Sequence, residues 1–105
     1  MKVQVELWMS MGRELGGDFQ SPSDMVSRIE MDVEEGETLK RLFNHLAEEY
    51  KPIAAKIFDR QKGKFYPNLT VLITFQGRIQ SFADSADPVL KNGDKIMILP
   101  LYAGG

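Results

Sequence analysis

The sequence predicts an α+β fold of two layers, in which one sheet packs against one main helix. Two observations support this prediction. Three stretches, residues 2–9, 25–33 and 69–75, alternate between apolar and polar residues, as half-buried strands do, and a fourth, residues 95–101, is apolar on both faces. One amphipathic stripe lies between the second and third of these stretches. A single helix can bury such a stripe against one sheet face only, which fits a chain of 105 residues.

The first strand is predicted from residues 2–9. Its apolar positions Val3, Val5, Leu7 and Met9 fall on one face, and Lys2, Gln4 and Glu6 fall on the other. Trp8 is an apolar residue on the polar face. Residues 10–24 contain three glycines and Pro22, so they are expected to form a loop with at most one helical turn near residues 13–15.

The main helix is predicted from spacings of three and four residues. Its stripe consists of Leu39, Leu42, Phe43, Leu46 and Tyr50. Thr38 fits the N-cap position, and Pro52 should end the helix because proline disfavours helical backbone in the residue before it. Residues 53–58 are expected to form a short helix, and residues 59–66 an exposed basic loop.

The C-terminal third is predicted to contain three strands. Residues 69–75 form the third strand of the chain, and the Gln76-Gly77 turn leads into a short fourth strand at residues 78–80. A turn at Asn92-Gly93 precedes the last strand, residues 95–101. That strand is apolar on both faces, which is usual for strands that are covered on both sides.

Composition excludes several classes of function. A net charge of −2 disfavours nucleic acid as a partner, because phosphate contacts need a dense basic surface. No run approaches the roughly 18 apolar residues of a membrane span. The chain contains no cysteine, so thiolate metal sites and thiol nucleophiles are absent. The expectation is a cytoplasmic protein with one domain, residues 1–105, and a projecting tail, residues 101–105.

Side-chain catalysis finds little support in the sequence. His45, the only histidine, lies off the apolar stripe and lacks the further ligands that a catalytic metal needs. The carboxylate pairs Glu34/Glu35 and Glu48/Glu49 are sequence neighbours, which do not converge on one site. The chain is therefore predicted not to be an enzyme and to hold no metal.

The terminal pair Gly104-Gly105 is the first feature that suggests a function. At the usual glycine frequency, two final glycines occur by chance in about one chain in two hundred. Because glycine lacks a Cβ, such a tail can enter a narrow channel of a second protein. An incidental chain end is the alternative.

A second feature is the apolar surface opposite the helix. Trp8, Leu72, Met97 and Leu99 are apolar residues on strand faces that the single helix cannot cover. Exposed apolar patches of this kind usually bind partners. The alternative is that the loop of residues 10–24 or the basic loop covers them.

Residues 68–105 resemble the ubiquitin-like sulfur carriers of the MoaD/ThiS type, above all the small subunit of molybdopterin synthase. The resemblance rests on the strand opening at Asn68, the turn at 76–78, the stretch 90–96 with its Asn-Gly-Asp turn, and the Ala-Gly-Gly end. It implies a β-grasp fold, a mixed sheet whose last strand lies between the first and third strands.

The same resemblance implies a mechanism. An E1-like adenylating enzyme would use ATP to activate the carboxylate of Gly105, and sulfur would then replace the adenylate to give a thiocarboxylate. The large subunit of molybdopterin synthase would take up the tail, so partner contacts are predicted for Pro100, Leu101, Tyr102 and Ala103. No cofactor is expected on the chain itself. Three alternatives stay open: a carrier for thiamine, cysteine or RNA thiolation, a protein modifier joined through Gly105, and a β-grasp interaction module without chemistry.

Overall fold

The computed structural model describes residues 1–9, 11, 15–82 and 86–100. Two helices and eight strands lie within these ranges. In chain order they are β1 (Lys2–Leu7), β2 (Gln20–Ser23), β3 (Val26–Asp32), α1 (Leu39–Glu49), α2 (Lys51–Lys56), β4 (Phe58–Asp59), β5 (Lys64–Phe65), β6 (Leu69–Phe75), β7 (Arg78–Ser81) and β8 (Lys95–Pro100).

Six of the strands form one mixed sheet in the order β2-β3-β1-β8-β6-β7. β1 and β8 run parallel, and the other neighbours are antiparallel. β8 therefore lies between β1 and β6, the arrangement that the β-grasp resemblance predicts. The predicted fold class, an α+β sheet packed on one main helix, is confirmed.

The core lies between α1 and one face of the sheet, named the inner face. Four residues of the predicted stripe, Leu39, Leu42, Phe43 and Leu46, are buried, and the fifth, Tyr50, is half-buried just after the helix. Thr38 caps the helix by accepting a hydrogen bond from the Arg41 amide at 3.3 Å. The helix ends before Tyr50, and Pro52 lies in the first turn of α2, where its missing N–H is tolerated. The inner face contributes Val3, Val5, Leu7, Val71, Ile73, Ile96 and Ile98.

Residues 59–66 differ from the exposed basic loop that the sequence predicts. β4 and β5 form a two-stranded hairpin across them, with Phe58 opposite Phe65. Both rings are buried and pack edge to face at 5.1 Å, and Phe65 packs on Phe43 of α1 at 4.9 Å. The basic residues between the strands are exposed, as expected, but this aromatic cluster anchors the hairpin to the helix.

The prediction of a loop over residues 10–24 is wrong at Gln20–Ser23. β2 is a fully exposed edge strand that pairs irregularly with β3, and an edge tolerates the missing N–H of Pro22. Met11, Leu15 and Phe19 of the same segment are buried in the core, and Phe19 packs edge to face against Tyr50 at 5.1 Å. These three side chains therefore pack in the core, on the same side of the sheet as α1. The helical turn is predicted near residues 13–15, of which 13 and 14 lie outside the described residues.

Candidate functional site

The face of the sheet opposite α1, named the outer face, carries four of the predicted partner-binding residues. Strand register places Met97 of β8 opposite Leu72 of β6, and Leu99 opposite Thr70. Trp8 follows β1, and its amide donates to the Ile98 carbonyl at 2.8 Å, which sets it beside Leu99. Trp8, Leu72, Met97 and Leu99 are together named the apolar strip.

The apolar strip is partly accessible. Its aliphatic members are half-buried, and Trp8 is 39 % exposed. Pro100, by contrast, does not belong to the outer face. The alternation of β8 places it on the same side as Ile98, opposite the partly buried Leu69, which packs against the core. Contact of the strip with a partner remains a prediction.

The five residues after β8 lie outside the described residues. These are Leu101, Tyr102, Ala103, Gly104 and Gly105. Their predicted roles as tail and reactive end therefore stay predictions.

Sequence reasoning missed a buried carboxylate in the centre of the outer face. The alternation of β1 assigns Glu6 to the polar side, and it does lie there, but it is only 1 % exposed. Two nitrogens of the Arg28 guanidinium on β3, Nε and Nη2, lie 2.8 Å from Oε2 of Glu6. The Lys95 ammonium on β8 lies 3.0 Å from the same oxygen. Its Oε1 accepts a hydrogen bond from the Trp8 indole N–H at 3.0 Å. These four residues are named the Glu6 cluster.

The register explains how the sequence builds this cluster. Glu6 stands directly opposite Arg28 in the antiparallel pair of β1 and β3. Lys95 is opposite Gln4, and Gln4 and Glu6 are successive outer-face residues of β1. The long side chain of Lys95 therefore reaches the Glu6 carboxylate diagonally. Trp8 lies two residues after Glu6 and therefore also points to the outer face. Three strand segments thus converge on one carboxylate, a contact set that appears only once the strand order is known.

The environment of Glu6 favours its ionised form. Burial by itself raises the pKa of the carboxyl, but hydrogen bonds from Lys95, Trp8 and Arg28, together with the Lys95 charge, outweigh it and lower the pKa below 4.5. Glu6 is therefore charged at neutral pH. The two cations leave the cluster with one net positive charge, and their side chains are each 36 % exposed while the carboxylate is covered.

Other polar groups in the described ranges do not assemble an active site. His45 is exposed on α1, as predicted, and the described residues contain no group of three or more His, Asp or Glu side chains that could hold a metal. Asp94 is buried after the Asn92-Gly93 turn, and its carboxylate accepts the Lys91 amide at 2.7 Å, which is a structural role. Among the residues that the structure describes, no helix is long and apolar enough to cross a membrane.

Comparison with known proteins places the chain in a family and a fold. The ThiS family matches residues 19–105. The match begins after β1, so Glu6 and Trp8 lie outside it. A comparison with proteins of curated function gives no significant match.

Solved structures that share the fold include three from Haloferax volcanii. SAMP1 from Haloferax volcanii is 17 % identical, with a TM-score of 0.67 and full coverage of both chains. A second structure, small archaeal modifier protein 1 of H. volcanii, is 16 % identical with a TM-score of 0.62, covering 96 % of this chain and 98 % of that one. The H. volcanii HVO 2177 protein is 20 % identical with a TM-score of 0.62, covering all of this chain and 87 % of that one. At these identities the likeness concerns the fold.

Proposed function

The chain belongs to the ThiS family, and on that premise we propose that it carries sulfur as a thiocarboxylate on Gly105 for molybdopterin biosynthesis. The observation that supports this most is the extent of the family match, which runs to residue 105 and includes both final glycines. Small ubiquitin-like carriers of this type are not enzymes themselves, and they work with E1-like activating enzymes. The molybdopterin pathway is the finer part of the proposal and rests on the sequence resemblance of residues 68–105.

The proposed chemistry needs no side chain of this protein. A carboxylate oxygen of Gly105 attacks the α-phosphorus of ATP, and pyrophosphate leaves. The resulting mixed anhydride has AMP as a good leaving group. A sulfide-level donor attacks its carbonyl carbon, the bond to AMP breaks, and a thiocarboxylate remains. ATP binds to the adenylating enzyme and not to the carrier, and we place the reaction in the cytoplasm.

The geometry of β8 supports separate roles for the apolar strip, which would bind the partner, and for the residues after Pro100, which would carry the sulfur to it. Five residues separate Pro100 from the end of the chain, and fully extended they span at most about 17 Å. The apolar strip borders this point, because Leu99 precedes Pro100 and Trp8 lies beside Leu99. A partner that binds the strip would hold Pro100 in place and so restrict the Gly105 carboxylate to a small volume. The large subunit of molybdopterin synthase is the proposed acceptor of the sulfur.

Intact-mass analysis tests the proposal directly. The protein is incubated with ATP, the E1-like enzyme of its host and a sulfur donor, and the expected product has one oxygen replaced by sulfur. Deletion of Gly105 or the substitution Gly104→Phe should abolish that product and leave the far-ultraviolet circular dichroism spectrum unchanged. Gly17→Ala is the matched control, since a Cβ at this surface glycine meets nothing within 4 Å. Retained sulfur transfer without Gly105 would refute the proposal.

A protein modifier is the second candidate function, and one observation favours it. Two of the similar structures carry the name of an archaeal modifier protein, although their low identity speaks for the fold alone. A modifier would form an isopeptide bond between Gly105 and a lysine of another protein. Peptide mass analysis of protein from its native host separates the two: a terminal thiocarboxylate indicates a carrier, and a branched lysine peptide indicates a modifier.

A further inference from the structure

Glu6 has no part in the proposed sulfur chemistry, yet it occupies the middle of the outer face. Met97 of the apolar strip stands opposite it on β8, and Trp8 bonds to it directly. A buried carboxylate at such a position needs a physical reason, because charged side chains are almost never fully buried unless they are paired.

Stability alone is a poor reason for this arrangement. Taking the carboxylate and part of two cations out of water costs about as much as their attraction returns, and apolar residues of similar volume often replace such groups without loss. Buried ionic groups have their best-attested use in fixing one arrangement among several. The arrangement that Glu6 fixes consists of three side chains from three strand segments, Trp8, Arg28 and Lys95.

Trp8 is the member that most needs fixing. It lies just after β1, and more than a third of it is exposed. Its backbone is held by the Ile98 carbonyl, and its indole N–H is held by Glu6 at 3.0 Å. An exposed indole without such a bond would exchange between rotamers, and binding would then have to restrict it.

The charge of the cluster indicates what kind of surface it fits. The whole chain carries −2, but the cluster carries one net positive charge, and its exposed charged side chains are the two cations. Lys95 lies next to the apolar strip, because Lys95 and Met97 are successive outer-face residues of β8. Arg28 binds Glu6, which stands opposite Met97. A complementary surface is therefore apolar and bordered by carboxylates.

We propose that Glu6 is a positioning residue, which holds the Trp8 indole and the Arg28 and Lys95 cations in the arrangement that docks the E1-like adenylating enzyme. The partner surface is apolar with a carboxylate rim. This inference rests on the proposed function, since it assigns the docking surface used in the adenylation of Gly105. Neither Glu6 nor Trp8 lies within the residues that the family matches.

The experiment is a steady-state assay of ATP-dependent adenylation, with the carrier as the varied substrate. Glu6→Leu removes the carboxylate and keeps a similar volume, and Glu6→Gln keeps an amide oxygen that can accept the indole N–H. At about 0.15 M salt, where long-range charge effects are largely screened, Glu6→Leu should raise KM roughly three- to tenfold. Its kcat should stay within about twofold, because docking precedes chemistry. Glu6→Gln should fall between Glu6→Leu and the native protein.

The matched control is Glu30→Gln. Glu30 is a carboxylate on β3, two residues from Arg28, and it pairs with Lys2 at 3.5 Å with both side chains 65 % exposed. It should leave KM and kcat unchanged. Lys95→Met should raise KM most at low salt, and the difference from the native protein should shrink as salt rises.

Two further measurements separate positioning from a merely structural role. Trp8 is the only tryptophan, so its near-ultraviolet circular dichroism reports the order of the indole directly, and this signal should weaken in Glu6→Leu. In a double-mutant cycle, Glu6→Leu should raise KM less in the Trp8→Phe background than in the native protein. The reason is that much of the effect of Glu6→Leu comes from the loss of the hydrogen bond that orders the indole. If Glu6→Leu is unstable by thermal unfolding, Glu6→Gln and the Trp8→Phe arm decide the question.

A native KM in Glu6→Leu, or a loss of kcat with KM unchanged, would overturn the inference. So would fully additive effects in the cycle. Failure of the proposed function looks different: the adenylating enzyme would not turn over the native protein at all, and the docking role would fall with it.

Discussion

The two faces of β8 give the sharpest test of the structure, because adjacent residues should behave in opposite ways. Ile98 is fully buried on the inner face, and Leu99 is half-buried on the outer face. Ile98→Ala should cost about 2–5 kcal/mol, the range for truncating large aliphatic side chains in a core. In a domain of this size each kcal/mol lowers the melting temperature by about 4–8 °C, so this variant should melt at least about 8 °C below the native protein.

Leu99→Asp should leave most of that stability intact. Full burial of a leucine contributes about 1.5–3 kcal/mol, and a half-buried leucine contributes about half of that, so the expected loss is about 1 kcal/mol. The introduced carboxylate can remain hydrated on the outer face. Binding to the adenylating enzyme should nevertheless weaken tenfold or more, because a charge in the apolar strip would have to be desolvated.

Thermal unfolding and isothermal titration calorimetry measure the two effects on the same samples. The expected pattern is a large loss of stability for Ile98→Ala and a large loss of affinity for Leu99→Asp. If Leu99→Asp unfolds the protein, the two faces of β8 are assigned the wrong way round. If it is stable and binds normally, the apolar strip is not the docking surface.

Three further predictions concern single buried or paired groups. Because folding lowers the pKa of Glu6, its stabilisation is present above pH 4.5 and is lost as the pH falls through the folded-state pKa, so Glu6→Gln should flatten the acid limb of the stability profile. Burial and the hydrogen bond to Asp18 raise the pKa of Tyr50 to about 12. Its hydroxyl therefore stabilises the fold below pH 10, and this stabilisation is lost as the pH rises through about 12. Tyr50→Phe should remove a tyrosine that titrates near pH 12 from an absorbance titration. Asp94→Ala should cost about 1–3 kcal/mol in urea unfolding because the Lys91 amide loses a charged acceptor, whereas Asp94→Asn, which keeps an oxygen there, should cost less.

The sequence predicted those parts of the fold in which local periodicity and burial agree. The stripe of α1, the alternation of β1 and β6, and the Gln76-Gly77 turn are all found. Gln76 and Gly77 both have positive φ, 49° and 79°, as the turn requires. In these segments each residue's role depends on its neighbours in sequence, so a single sequence is sufficient.

The misses have a common physical origin. β2 is fully exposed, so no apolar alternation marks it, and it exists through its pairing with β3. The β4–β5 hairpin is short and basic, and it is fixed by Phe65 reaching Phe43. Ile79, 65 % exposed on the outer face of β7, likewise has no distinguishing pattern in the sequence. All three lie in strands that are too exposed or too short to carry an apolar pattern.

Glu6 is the clearest case of this limit. In the sequence it is one of three polar residues that alternate with valine and leucine, and that pattern is typical of a solvated strand face. Its burial depends on Arg28 and Lys95, which are 22 and 89 positions away along the chain. Only the strand order brings all three together. Once the strands are placed in order, the charged residues of the outer face can be mapped, and Glu6 then lies between Arg28 and Lys95.

In the function proposed above, docking and chemistry reside in separate parts of this molecule, and the physical requirements of each explain the separation. A surface that binds must be rigid, because every side chain ordered on binding reduces the affinity. Glu6 provides such rigidity on the outer face by holding an indole and two cations from three strand segments. A chain end that must reach the active site of another enzyme needs slender, adaptable residues, and the sequence ends in two glycines. Changes in the Glu6 cluster should therefore act on KM and changes in the tail on kcat, and that difference distinguishes a carrier with a built docking face from a β-grasp module that merely ends in glycine.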